Sequence, residues 1–401
     1  MKGLVQLLTL ERRVVPAAGS AFFASAFRPF FFGASLYAAF GVPFWVATLF
    51  GSAPWRAPAN PLDWHAHEMV FGFTSAVFAG FLLTAIRRWT GQATVDGWRL
   101  AALFTVWLAA RLLPFVPGAA RAAAVVDVAF FVGLLVACAV PIVRSRNRRN
   151  YAFLVLLGGF TLAATVSHAN RLGYLHGEFW AVRSFGVDLI AIGMIVMTGR
   201  IVPSFTRNAT EASDIVETPR YDRAAALAVV LVSILDAASA PPAWSAPPAA
   251  LAGVLLLARA RHWGARHTLA HPLLWILHLG HAWVAVGLLL RGLAAVVPSL
   301  PASIALHALT AGGIGLLTFG MMTRVTLGHT GRLLAVPGSV ASAMVALALA
   351  ALVRVVGPLV APTELPLVLG TAGALWSVAF AVYALFYARA LFTPRVDGLP
   401  G

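Results

Sequence analysis

The sequence predicts an all-α fold, a polytopic integral membrane protein of about twelve transmembrane helices with both termini cytoplasmic. Of its 401 residues 60% are hydrophobic and only 11% are charged, whereas soluble domains carry about 25% charged residues. Apolar runs recur along the whole chain, each near the roughly 20 residues that a helix needs to cross a bilayer. When these runs alternate through the membrane, the 29 Lys and Arg residues divide 22 to seven in favour of the side that holds the termini, which the positive-inside rule assigns to the cytoplasm. The formal charge of +15 is therefore topology, and no nucleic-acid partner is expected. Lone Cys138 excludes a disulfide, a CxxC redox pair, a Cys-ligated iron–sulfur cluster and a CxxCH haem attachment.

Charged or Pro/Gly-rich breaks bound the runs at 30–50, 64–86, 98–116, 122–143, 151–171, 179–199, 223–240, 246–259, 272–296, 302–323, 334–356 and 365–388. Residues 1–401 read as one transmembrane helical domain, with 1–29 a cytoplasmic or interfacial segment and 389–401 a cytoplasmic tail. Lys2, Glu11, Arg12 and Arg13 interrupt the first leucines, so that stretch lacks the apolar core of a secretory signal and suits a short interfacial helix. The seventh and eighth runs are short because of Pro241, Pro242, Pro247 and Pro248, and a re-entrant pair there preserves the same parity. The sparse basic residues of the far side are Arg56, Arg111, Arg121, Arg171, Arg183, Arg291 and Arg354.

Polar residues at membrane depth are expensive and face the bundle interior. Histidines dominate that set: His65 and His67 in the second run, His168 in the fifth, His278 and His281 in the ninth, His307 in the tenth. Acids are few, chiefly Glu68, Asp127 and Asp188, a balance that suits neutral imidazole ligation better than a carboxylate ion relay.

Asn60-Pro61-Leu62-Asp63-Trp64-His65-Ala66-His67-Glu68 carries the sharpest local pattern. Asn60 reads as an N-cap, Pro61 as the first helical residue and Asp63 as an acid in the first turn. At 100° per residue, His65 and His67 diverge by about 200°, so a regular helix sends them to different centres. Glu68 is placed to orient a ligating imidazole or to carry a proton, against the plainer alternative of an interfacial His/Trp belt around a satisfied carboxylate. His278 and His281, spaced i, i+3, share one stripe and suit either metal ligation or an interhelical hydrogen-bonded pair. His307 precedes a small-residue strip through Gly315, against which a helix or a planar macrocycle can approach. Met321 to Arg332 reads as a polar cytoplasmic loop, with Arg324 and Arg332 available to clamp propionates, phosphates or lipid headgroups.

These motifs, taken together, carry a family resemblance. Phe27-Arg28-Pro29-Phe30-Phe31, Trp64-His65-Ala66-His67-Glu68-Met69 with Gly72-Phe73, and Gly80 to Ala85 followed by Trp89-Thr90-Gly91 resemble motifs of the NnrS family. So do Gly199-Arg200-Ile201-Val202-Pro203-Ser204-Phe205-Thr206-Arg207-Asn208, Leu277-His278-Leu279-Gly280, His307-Ala308-Leu309-Thr310, and Met322-Thr323-Arg324 through Leu327 to Arg332. The resemblance implies a twelve-helix protein of the bacterial inner membrane, tied to nitric oxide and nitrosative stress, that contains haem and, in some members, copper. It implies His65, His67, His278 and His307 as cofactor or metal ligands, with Glu68 in a supporting position; Arg200, Arg324 and Arg332 are further candidates for support from the residue pattern itself. His281 departs from the family pattern, which has an aromatic there.

Two functional classes follow. One is a haem or haem–copper protein that binds nitric oxide or a similar small molecule, or passes electrons from a membrane donor, with redox turnover left open. The other is a twelve-helix secondary transporter. A Soret band in purified protein selects the first, a colourless preparation the second. The topology has its own test: reporter fusions in the arginine-rich segment 144–150 are expected to report the cytoplasm, and an external signal there overturns the orientation.

Overall fold

A computed structural model describes residues 18–52, 60–175, 179–212 and 214–399. The interfacial helix expected within residues 1–17, together with Lys2, Arg12, Arg13 and Arg56, lies outside the described residues. Among the described residues the long elements are α1 (Phe27–Leu49), α2 (Pro61–Thr90), α3 (Gly97–Leu112), α4 (Ala120–Arg144), α5 (Tyr151–Arg171) and α6 (Phe179–Thr210), followed by α7 (Pro219–Ala237), α8 (Pro242–Ala260), α9 (Pro272–Ala294), α10 (Ala302–His329), α11 (Gly338–Val360) and α12 (Leu365–Phe392).

Eleven of these helices are long and apolar enough to cross a membrane. The exception is α7, which carries Arg220, Asp222, Arg223 and Asp236 near its ends. Asp222 pairs with Arg259 on α8, and Asp236 lies 2.6 Å from Arg291 on α9. Because α7 lies along α6 and α8, its charges meet partners rather than lipid. The prolines shorten α8 less than expected: Pro242 opens it at the first helical position, where no N–H is missed.

Both α6 and α10 run further than the apolar runs suggest. The segment after Gly199 continues α6 to Thr210, with Thr206 Oγ1 donating to Val202 O at 2.9 Å. Residues 321–329 are the last turns of α10 rather than a loop, because Thr323, Val325, Thr326 and Leu327 are buried there and Thr326 meets Tyr383 OH at 2.7 Å. The chain past α12 folds back onto this end, where Val396 N donates to Thr330 O at 3.2 Å.

Sequence neighbours pack side by side around the bundle, and α12 closes on α1. Inside this ring run α2 and α10, the most buried spans, at 78% and 72% against 28% for the span that contains α3. Closure is held where α1 begins and α12 ends by Arg28, whose Nη1 donates to Ala390 O, Leu391 O and Thr393 O at 3.1, 2.9 and 2.6 Å. That guanidinium satisfies carbonyls that the last turn of α12 leaves without helical partners.

Both inner helices contain a π turn, Glu68–Phe73 in α2 and Ala308–Ile314 in α10. The glycines of the second make room for other helices: a Cβ on Gly312 meets Trp283 at 2.5 Å, and one on Gly313 meets Val284 at 2.6 Å. On the α9 side, a Cβ on Gly287 lies 2.8 Å from the backbone nitrogen of Leu309. Backbone cannot move aside as a flexible side chain can, so Gly287→Leu is expected to lower stability by about 1–3 kcal/mol in thermal unfolding of detergent-solubilised protein. Gly158→Ala, with nothing within 4 Å of its Cβ, is expected to leave the transition unchanged.

Candidate functional site

Asn60 caps α2 as its sequence suggests, its side chain accepting from Asp63 N at 2.8 Å with Pro61 following. Three regular turns do not follow. After His67 the helix widens into its π turn, where Thr74 N reaches back to Met69 O. Carbonyls displaced by the wider turn find side-chain donors, including Trp107 Nε1 on Gly72 O at 3.0 Å. Such π turns sit frequently at functional sites, because they re-aim the residues beside them.

His65 faces a cavity of about 370 Å³ near the outer end of the bundle. The cavity lies between inner helices α2, α10 and α6, with α1, α11 and α12 closing the other side. His65 stacks on Trp45, ring centroids 3.9 Å apart and planes 17° from parallel. From the opposite wall comes His307, one residue before the second π turn. Its Nδ1 donates to Ser303 O at 2.7 Å, which leaves the lone pair on Nε2, and Arg354 Nη2 donates to that nitrogen at 3.1 Å. The small strip after His307 is shared out: its glycines serve helix contacts, while Thr310, Ala311 and Ile314 line the cavity.

Among the described residues, three nitrogens of the cavity wall are buried without a partner, Nδ1 of His65, Nε1 of Trp45 and Nε1 of Trp376. Buried polar atoms are almost always satisfied. Three exceptions around one space of this size, within the range of small-molecule and cofactor pockets, make the cavity a candidate ligand site.

His67 points elsewhere. Its Nε2 lies 3.1 Å from Asp127 Oδ2, and His168 Nε2 lies 2.8 Å from the same oxygen. The other oxygen of Asp127 is held by Arg111 Nη2, while Arg111 Nη1 donates to Glu68 Oε2 at 2.5 Å. Tyr37 OH donates to Glu68 Oε2 at 2.7 Å. Gly72 is required here, since a Cβ would stand 2.6 Å from Glu68 Oε2 and 2.7 Å from Arg111 Nη1. Glu68 therefore bonds an arginine and a tyrosine rather than an imidazole.

His278 is in neither group. On the N-terminal half of α9 its Nε2 is 2.9 Å from Thr206 Oγ1. His281 turns away from it to Leu256 O at 3.1 Å and to Arg259, so the two do not converge on one point. The three expected supporting arginines also sit toward that end of the bundle. Arg200 donates to Asn150 Oδ1 at 3.1 Å, Arg324 lies over the Phe205 ring at 3.8 Å, and Arg332 donates to Thr330 O at 3.4 Å. None of them lines the cavity.

A family model described as NnrS protein matches residues 21–395. The chain belongs to the NnrS family. A comparison with curated proteins finds no match to it. The family motifs fall on both groups just described: the segment with His65, His67, Glu68 and Gly72 forms the divided α2, and His307 to Thr310 begins the second π turn.

Arg111 and Arg354 are the functional-site residues that sequence reasoning missed, because both were absorbed into the outer-side charge count. Their signal was depth. Each lies inside an apolar helix rather than between helices, and a cation there needs a partner. Removing one side of the buried pair strands the other, so Arg111→Met is expected to lower unfolding free energy by about 3–5 kcal/mol. Adding Glu68→Gln to that variant should recover part of the loss in the same unfolding measurement.

Proposed function

We propose that this membrane protein of the nitric oxide response holds haem in the outer cavity, between His65 and His307, in the bacterial inner membrane. The single observation that carries the reading is that two histidines from distant parts of the chain face one cavity whose wall has unpartnered nitrogens.

The residues fit such a group. His65 has a buried Nδ1 with no partner, and its ring orientation is held by the Trp45 face. His307 has the arrangement of a ligand imidazole, since its Nδ1–H is committed to a backbone carbonyl and its basic Nε2 is available once Arg354 turns away. Arg354 then has a natural use, because a guanidinium fork suits the carboxylate of a propionate. Thr310 and Ser303 add hydroxyls to a wall that is otherwise largely apolar, and this apolarity keeps water from the imidazoles. Haem bound there would supply one-electron redox chemistry and, where only one of the two imidazoles holds the iron, a place for a small diatomic ligand such as nitric oxide. Copper, which the resemblance implies for some members of the family, is not assigned to this cavity.

Detergent-purified protein is expected to show a Soret band, with spectra that change on reduction. His307→Ala is expected to lose or convert that signal while protein yield stays nearly intact. Full haem content with an unchanged spectrum in this variant makes His307 a packing residue and removes the assignment. A colourless wild type with haem supplied during growth returns weight to transport.

A further inference from the structure

We propose that His67, Asp127 and His168 bind one divalent first-row transition-metal ion, at a site separate from the cavity. The inference does not rest on haem in that cavity.

The donor set converges. One ligand atom from each residue lies within 4.8 Å of the other two, and both imidazoles present Nε2 to a single carboxylate oxygen, at 3.1 and 2.8 Å. An ion bound at about 2.0–2.2 Å from nitrogen and oxygen donors needs them only about 3 Å apart, so small shifts suffice. The three residues come from α2, α4 and α5, and no two are close in sequence. Their chemistry, two imidazoles and a carboxylate, suits Zn²⁺, Fe²⁺, Co²⁺ or Cu²⁺ better than the all-oxygen preference of Ca²⁺ and Mg²⁺ or the thiolate preference of Cu⁺.

The surroundings are those of a metal site rather than of a chance cluster. Ser167 Oγ stands 3.4 Å from His67 Nδ1, an oxygen placed to take the proton of that nitrogen and so leave Nε2 basic. The second oxygen of Asp127 is oriented by Arg111, Arg111 by Glu68, and Glu68 by Tyr37. His168 is 12% exposed and lies near the outer end of α5, which provides an entry path.

The charged groups that face the triad are Arg111, shared by Glu68 and Asp127, both 2% exposed or less, and Arg171, which donates to Asp63 O at 2.8 Å. The alternative occupant of the space between the imidazoles and Asp127 is a proton on one imidazole, and the experiment separates the two.

Full-length protein, purified in detergent through a tag that contains no histidine and stripped with EDTA, is titrated with Co²⁺ and followed by its visible ligand-field absorption. One Co²⁺ per chain is expected, displaced by Zn²⁺. His168→Gln and His67→Gln are expected to weaken Co²⁺ binding by about tenfold or more, and His168→Gln should leave any Soret absorption unchanged. Wild type that develops no cobalt bands overturns the proposal in favour of a protonated imidazole, whether or not the variants fold. Unchanged cobalt affinity in both variants overturns it as well. Joint loss of cobalt bands and Soret absorption in His168→Gln overturns the separation of the two centres. A colourless protein that still binds Co²⁺ through this triad removes the haem reading and leaves the metal site standing.

Discussion

Arg111 between Glu68 and Asp127 is the constraint around which the outer half of the bundle is arranged. A guanidinium and two carboxylates enter a low-dielectric interior only if every charge finds its partner with good geometry. The partners lie on α2, α3 and α4, and their requirement propagates outward: Gly72 must lack a side chain, Tyr37 must reach in from α1, and Trp107 must supply a donor to the π turn. The same network explains why α2 is not a regular helix. The π turn that begins at Glu68 allows this carboxylate to meet Arg111 while His65, three residues earlier, faces the cavity on the other side.

The second inner helix repeats the device with different chemistry. In α10 the π turn again follows a histidine near the start of the helix, and α10 begins at the same end of the bundle as α2. Here glycines rather than ion pairs set the spacing, with Gly312, Gly313 and Gly287 bringing α9 and α10 into close contact. The cavity exists because these two irregular helices stand beside each other under α1, α11 and α12. Its histidines are 242 positions apart in the chain (65 and 307), so the site forms only when the two halves of the bundle meet.

The outer-side arginines show how one residue type serves two purposes. Few basic residues face outward, as orientation requires, and several of those few are buried partners instead. Arg111 binds Glu68 and Asp127, Arg291 binds Asp188 and Asp236, and Arg354 binds His307. At the other end Arg28 serves the carbonyls that end α12. Arginine suits these tasks because its fork offers several donors while remaining charged.

The helical membrane architecture, the start of α2 at Asn60 and Pro61, and the divergence of His65 from His67 were legible in the chain before it folds. These follow from composition, capping chemistry and helix period, all of which are local. The residue pattern also marked His307 as a polar residue needing a use at depth. Tertiary structure alone decided which histidines share a space, because contacts between residues 65 and 307, or among 67, 127 and 168, depend on how helices distant in sequence are rotated and packed. It decided too that Glu68 bonds Arg111, that Arg354 rather than Arg324 stands beside the cavity, and that His278 and His281 part company. The π turns had the same origin: they arise where buried partners on neighbouring helices outweigh the regular hydrogen-bond ladder, and no periodicity within α2 or α10 reveals the force that neighbours will exert on it.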